Sequence, residues 1–278
     1  MQRYGIAPYD EAAGQGLIRH VVTRTSRAGE TMVTLAVSAD DVPYAEELFA
    51  LLQAAVPKTV SLCVSVNPRK DNVILGRDYR VLCGAPRLQD TLCGLTFSLS
   101  PLSFFQVNPL QTEKLYQTAL RMADPKPEEL AVDLYCGAGT ISLMLARHVR
   151  KVIGIEIVPE AIRDARVNAK RNGVINAEFH AAAAEDLLPT LADSGLRPGL
   201  VLLDPPRKGA EPAVIAAIAQ IHPSRVVYIS CDPATLARDI RLFADYGYHT
   251  ETVQPVDMFC WTSHIESVVK LTRAGLSE

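Results

Sequence analysis

The chain predicts an α/β protein: a doubly wound parallel sheet over residues 106–278, preceded by a smaller α+β unit over residues 1–105. Three observations carry this. Beyond Asn108, apolar strands alternate with helices of about a dozen residues, the pattern of a parallel sheet covered on both faces. Before it, partly alternating strand runs joined by short turns predict a mostly antiparallel sheet. The last two strand runs are separated by a loop alone, which predicts an antiparallel hairpin at one edge.

In the first unit, LIRHVVTR and MVTLAVS flank an Arg27–Glu30 turn. A helix is predicted over Val42–Ala55, with Pro43 in its first turn. VSLCVSV (60–66) follows, then an Asn67-Pro68 loop and short strands near 72–82 and 91–99. In the second unit a helix over Pro109–Met122 precedes the buried strand AVDLY (131–135) and the turn Gly137-Ala138-Gly139. A helix over 140–148 leads to the strand VIGIEI (152–157), and a helix opened by Pro159 runs to Asn172-Gly173. A weak strand near 177–180 and the strand VLLD (201–204) come next. A helix over 212–220, the strand RVVYIS, a helix over 233–244 and strands near 248–256 and 264–271 complete the pattern.

Composition removes several classes. Among 278 residues, 48% are apolar and 21% charged, enough for a core and unlike a disordered chain. No run of 18 apolar residues and no signal-type apolar stretch occurs, so a cytosolic protein without a membrane span is expected. The six cysteines (63, 83, 93, 136, 231 and 260) form no C-x-x-C, which argues against a zinc site or a disulfide framework; no metal ligands are expected. Net charge is −3, and residues 1–125 balance 12 basic against 12 acidic side chains. Bulk charge therefore gives no sign of a nucleic-acid partner, although a local basic patch is compatible with it.

In doubly wound sheets a ligand lies beyond the carboxyl ends of the strands, where strand order reverses. Asp133 to Gly139, Glu156 and Asp204 all fall at such ends. Gly137 and Gly139 allow a tight turn and a close backbone approach. Glu156, ending the next strand, suits ribose hydroxyls. A dinucleotide site shares these features, but GAGTIS ends in Ser142 where that motif carries glycine or alanine, a mild mismatch. An acidic, glycine-rich turn also suits a cation better than a pyrophosphate. S-adenosyl-L-methionine, with its ammonium and sulfonium, is the better match.

At the end of RVVYIS, Asp232 is placed as a helix N-cap and Pro233 as the first helical residue. Cys231 then sits just outside a helix N-terminus, where the dipole is expected to depress its pKa and make it a nucleophile. The other cysteines read as packing or surface thiols. Glu266, in HIESVVKL, is a carboxylate among apolar neighbours and reads equally as a paired or strand-end group and as a functional one. His264 is expected on the same strand face two residues away.

The blocks SFFQVNPLQTEKLY (103–116), DLYCGAGT (133–140), GIEI (154–157), LLDPPRKG (202–209), YISCDPATLARD (228–239) and HIES (264–267) resemble the RNA (uracil-5-)-methyltransferases. The 23S ribosomal RNA branch resembles them most; the tRNA branch is expected to carry asparagine in place of Asp232. YDEAAGQGLIRHVVTR (9–24) resembles the family's central domain. The resemblance implies a Rossmann-like methyltransferase sheet, S-adenosyl-L-methionine as donor and a 23S rRNA substrate. It implies Cys231 as nucleophile and Glu266 as general base. It implies Gln106, Tyr135, Glu156 and Asp204 as donor contacts, with Gly137 and Gly139 shaping the loop. Arg207 and Lys208 read equally well as phosphate contacts and as solvated charges. Residues 1–105 are a candidate RNA contact, and no protein partner is implied.

Two departures stand out. Full-length relatives usually begin with an oligonucleotide-binding barrel, and many carry four cysteines for an iron–sulfur cluster. Neither is in this sequence, so no cluster is expected, and a donor-binding core inactive by itself is the alternative to a complete enzyme. Near position 183, where a polar adenine contact is expected, stands alanine; Asp186 is the nearest substitute. A tRNA uridine methyltransferase, a small-molecule or protein methyltransferase and a nicotinamide-dependent oxidoreductase are the remaining readings.

Overall fold

The computed structural model describes residues 1–273, which fall into two compact units. The first comprises residues 1–91 and 96–103; the second comprises, among the described residues, 92–95 and 104–273.

In the first unit, strands β1 (Ile18–Thr25) and β2 (Thr31–Val37) form an antiparallel hairpin, and helix α1 (Ala45–Ala55) crosses over to β3 (Thr59–Val66). That crossover makes β2 and β3 parallel; β4 (Arg80–Gly84) then adds antiparallel to β3. All of β2 is buried, and Val33, Leu35, Leu62 and Val64 form the core of this sheet. Helix α1 begins later than the sequence pattern suggests. Tyr44 occupies its N-cap with a left-handed backbone (φ 58°), leaving Pro43 outside the helix. The strand expected near 72–82 starts only at Arg80, because residues 67–79 are tied into a loop by side-chain bonds described below. Strands β5 (Leu88–Leu92) and β6 (Leu95–Leu99) pair with each other.

The second unit runs α2 (Pro109–Ala123), β7 (Leu130–Leu134), α3 (Thr140–Leu145), β8 (Lys151–Glu156), α4 (Pro159–Arg171), β9 (Ala177–Ala181), α5 (Ala184–Asp193), β10 (Leu200–Leu203), α6 (Pro212–Gln220), β11 (Arg225–Ser230), α7 (Pro233–Asp245), β12 (Tyr248–Val256) and β13 (Glu266–Arg273). Its sheet is ordered β12-β13-β11-β10-β7-β8-β9. Strands β7 to β11 are mutually parallel, and β12 and β13 close one edge antiparallel. This is the doubly wound, Rossmann-like α/β sheet expected from the sequence, with an antiparallel hairpin at one edge. Strands β7 and β10 are buried throughout, as strands covered on both faces require. Order reverses between β7 and β10, because the chain runs outward through β8 and β9 before returning. The crevice beyond their carboxyl ends is thus the topological switch point.

Helix α5 had no sequence signal. Pro189 lies inside it and breaks the helical reading of that stretch, yet its apolar positions Ala184 and Leu188 are buried. No helix among the described residues is long and apolar enough to cross a membrane.

Candidate active site

Register brings the strand-end residues to one level. Leu134 pairs with Ile155 on one side and Leu203 on the other, so Tyr135, Glu156 and Asp204 emerge side by side. Tyr135 holds a left-handed backbone (φ 61°), a costly conformation for a non-glycine residue and one concentrated at functional turns. It throws the chain into the Gly137–Gly139 turn. A side chain at Gly137 would meet nothing within 4 Å, so the backbone there faces open space. At Gly139 (φ 82°) a Cβ would press on Ala165 and Phe179 at 3.1–3.2 Å. The two glycines therefore serve differently: Gly139 lets the turn pack, and Gly137 exposes it.

Glu156 accepts from the Gly137 amide (3.3 Å) through one carboxylate oxygen and from the Val158 amide (2.9 Å) through the other. Each oxygen keeps a lone pair for an outside donor such as a ribose hydroxyl. Asp133, 1% exposed, accepts the Ser142 hydroxyl at 2.5 Å on Oδ2, while its Oδ1 has no partner. Burial pushes its pKa up to about 7, against the Ser142 bonds and with help from Glu156. Asp204 is pushed up to about 8 by burial and by the neighbouring charges of Glu266 and Asp133. Tyr116, 4% exposed on α2 with its hydroxyl 3.4 Å from Thr140 Oγ1, feels both aspartates. Carboxylates gathered where each disfavours ionisation of the next form a site that a cationic ligand would relieve. An orphaned buried carboxylate oxygen, an open glycine turn and free acceptors on Glu156 fit S-adenosyl-L-methionine, with its two cationic groups and ribose.

The second cluster lies on β11 and β13. Their last antiparallel pair is Ser230 with Ser267, so Cys231 and Glu266 face each other one step beyond. Glu266 is 4% exposed, and burial raises its pKa, with Arg207 the opposing influence. Cys231 is half-buried, and Asp232 caps α7 by accepting from the Ala234 and Thr235 amides (both 2.9 Å), with Pro233 first in the helix. The expected depression of the thiol pKa is not found. Burial, Glu266 and Asp204 raise it, and together outweigh a backbone hydrogen bond and Arg207. The helix terminus was the visible feature in the sequence; the two facing carboxylates come from other strands.

His264 differs from expectation as well. It is exposed in the loop before β13, with its amide donating to Thr262 Oγ1. Gln106 is half-buried in the segment leading into α2. Two residues on, Asn108 caps that helix by accepting from the Gln111 amide and donates to the Met258 carbonyl at 3.0 Å. The segment is thereby fastened to the β12–β13 loop. Lys208 pairs with Glu211 at 2.6 Å, whereas Arg207 is exposed and electrostatically coupled to Cys231 and Glu266. Asp186 is exposed on the first turn of α5, after Ala183. Cys136 is buried in the glycine turn.

Sequence reasoning missed the bracing of the Asp204–Gly209 loop. Asp239, fully buried, accepts from the Tyr228 hydroxyl (2.6 Å) and the Ala210 amide (2.8 Å) through Oδ2. Its Oδ1 accepts from Arg238, whose guanidinium also donates to the Lys208 carbonyl at 2.8 Å. The available signal was a buried-side Asp on an amphipathic helix, where a carboxylate without a partner would be costly. Among the described residues no cluster of His, Cys, Asp and Glu is arranged to hold a metal.

Comparison with known proteins gives a consistent picture. The family model described as tRNA (uracil-5-)-methyltransferase matches residues 25–274. An RNA methyltransferase of Halalkalibacterium halodurans, described as uncharacterized, is 46% identical over 268 residues, covering 96% of this chain and 58% of its own length. One from Clostridium tetani, described in the same way, is 43% identical over 276 residues, covering 99% of this chain and 60% of its own. The chain thus spans about 60% of the length of these curated relatives. The crystal structure of a Pyrococcus abyssi tRNA (uracil-54, C5)-methyltransferase in complex with S-adenosyl-L-homocysteine superposes with a TM-score of 0.79. It is 27% identical and covers 98% of this chain and 64% of its own.

Proposed function

Because the chain belongs to the tRNA (uracil-5-)-methyltransferase family, we propose that it transfers a methyl group from S-adenosyl-L-methionine to C5 of a uridine in RNA, the target being 23S ribosomal RNA in the cytoplasm. The observation that carries this reading is the opposition of Cys231 and Glu266 across β11 and β13, next to the carboxylate-lined switch point.

In this reading Tyr135, Gly137, Glu156, Asp204 and Gln106 hold the donor. Glu156 accepts from the ribose, and Asp204 lies toward the methyl-bearing sulfonium. Uracil C5 is a weak nucleophile. The Cys231 thiolate adds to C6, and the displaced electron pair forms an enolate. C5 then attacks the methyl carbon, and the donor sulfur takes the pair of the broken carbon–sulfur bond. Glu266 removes the C5 proton, the C5=C6 bond reforms and Cys231 leaves as thiolate. The raised pKa of Glu266 makes it a stronger base for that step. The raised thiol pKa is met by the donor itself, whose positive charge offsets the two carboxylates beside Cys231. The uridine must be unstacked from its strand to reach this crevice. Residues 1–105 form a separate RNA-contacting domain, and residues 106–278 the methyltransferase domain.

The experiment is methyl transfer from labelled donor to 23S rRNA fragments and, in parallel, to unmodified tRNA. Transfer to rRNA, lost in Cys231→Ala, is the expected result. The tRNA reading is favoured by the description of the matched family model and by the named substrate of the Pyrococcus abyssi protein. Transfer to tRNA alone would establish it. Donor binding without transfer to either would indicate a core that needs further recruiting domains.

A further inference from the structure

We propose that the cleft between the end of β3 and the start of β4 binds the phosphodiester backbone of a single-stranded RNA segment; this rests on the RNA-methylating reading above. Residues 67–79 join these strands with neither helix nor strand of their own. Ordered connections of that length are uncommon and usually functional.

This one is built to a fixed shape. Asn67, 1% exposed, donates to the carbonyls of Val73 (2.5 Å) and Ile74 (3.1 Å) and accepts from the Arg69 amide (3.1 Å). Ser65 Oγ, buried on β3, accepts from the Gly76 amide (3.0 Å) and donates to the Asp78 carbonyl (2.7 Å). The Arg19 guanidinium reaches from β1 to the carbonyls of Asn67 and Arg69. A Cβ at Gly76 would lie 2.0 Å from the Val66 carbonyl oxygen, so the loop is pressed against β3.

The cleft it frames has a volume of about 640 Å³ and presents Arg69, Arg77, Arg80 and Tyr79 alongside Asp40 and Asp78. Residues 67–80 carry four cations against two carboxylates, a local excess within a half of the chain whose charges balance as a whole. Arg69 pairs with Asp71, and Arg80 with Asp40 at 2.8 Å; both pairs are about half exposed. Exposed pairs of this kind contribute little, so the guanidinium groups can exchange them for phosphate oxygens at small cost. Among the described residues Arg77 has no ion-pair or hydrogen-bond partner, and it is exposed. Planar guanidinium forks match phosphate geometry. The half-buried Tyr79 lines the same cleft and supplies an aromatic ring of the kind on which bases stack. Only an unstacked, single-stranded base can take that position.

The test is fluorescence anisotropy of the full chain with a labelled, uridine-containing single-stranded RNA of 23S sequence across salt concentrations. The R77A/R80A variant is expected to bind about tenfold more weakly. The slope of log K against log salt is expected to become shallower by about 1.4, the loss of two phosphate contacts. Arg171→Ala, on α4 of the other unit, is the charge control. An unchanged circular dichroism spectrum and an unchanged thermal unfolding profile verify that the variant folds. RNA affinity and salt slope equal to the unsubstituted protein would overturn the proposal. So would equal loss in R171A, or equal loss for a fully duplex RNA. If the substitution weakens RNA binding but the unsubstituted chain methylates no uridine, the cleft stands and the proposed reaction falls. If methylation proceeds and the substitution changes nothing, the reverse holds.

Discussion

Asp204 is a carboxylate whose ionisation its surroundings oppose, at the place proposed for the cationic donor. Its pKa lies at about 8 because burial and the charges of Glu266 and Asp133 oppose ionisation. An ordinary aspartate in an unfolded chain titrates near 3.9. A raised folded-state pKa favours the native state fully below the unfolded value, and that favour is lost as pH rises through about 8. Asp204→Asn keeps the shape and removes the charge. Its effect on stability relative to the parent is then expected to be small below pH 4, to grow with pH and to level off above pH 8. Each pKa unit corresponds to about 1.4 kcal/mol. After discounting for the solvent-facing side of a half-buried group, the gain at pH 9 comes to about 2 kcal/mol. For a chain of this size that is a melting-temperature rise of about 4–8 °C. The assay is thermal unfolding of both proteins from pH 4 to pH 9, with and without S-adenosyl-L-methionine. The donor should raise the melting temperature of the parent at pH 8–9 and do little for the variant. Equal gains at pH 4 and pH 9, or a variant less stable at pH 9, would refute the claim that neighbouring carboxylates strain this position.

Further outcomes follow from the same geometry. Alkylation of Cys231 by iodoacetamide, followed by mass spectrometry, should still be accelerating at pH 9. Glu266→Gln should shift its midpoint downward, because Glu266 is the largest charge raising that thiol. Gly139→Ala should cost about 1–2 kcal/mol in denaturant unfolding, since it forces a side chain into a left-handed backbone against Ala165 and Phe179. Asp239→Ala should cost about 2–3 kcal/mol by leaving the Tyr228 hydroxyl and Ala210 amide unpaired, and should loosen the Asp204–Gly209 loop in hydrogen exchange.

The sequence made the second unit legible because its strands are short apolar runs bounded by strong punctuation. Pro159, Pro212 and Pro233 open helices where the pattern places them. The six helix and strand boundaries 212–220, 225–230 and 248–256 coincide with the reading. Helix α5 escaped it because an internal proline is locally a breaker and only packing of Leu188 overrides it. The 72–79 stretch escaped because its fate is set by Asn67, Ser65 and Arg19, residues distant in sequence or outwardly unremarkable. Site positions at strand ends were readable, since topology alone brings strand ends together. The sign of the Cys231 shift was not. It depends on Glu266 and Asp204, which no local pattern joins to residue 231.

The central claim is that Cys231 attaches to C6 of a uridine while Glu266 waits for the C5 proton. RNA carrying 5-fluorouridine at the target position tests it directly, because fluorine cannot depart as a proton does. Incubated with S-adenosyl-L-methionine, the protein should form a methylated, denaturation-resistant adduct mapped by peptide mass spectrometry to Cys231 and missing in Cys231→Ala. An adduct at another cysteine, or RNA methylation of ordinary uridine with no trapping by the fluorinated RNA, would contradict the account.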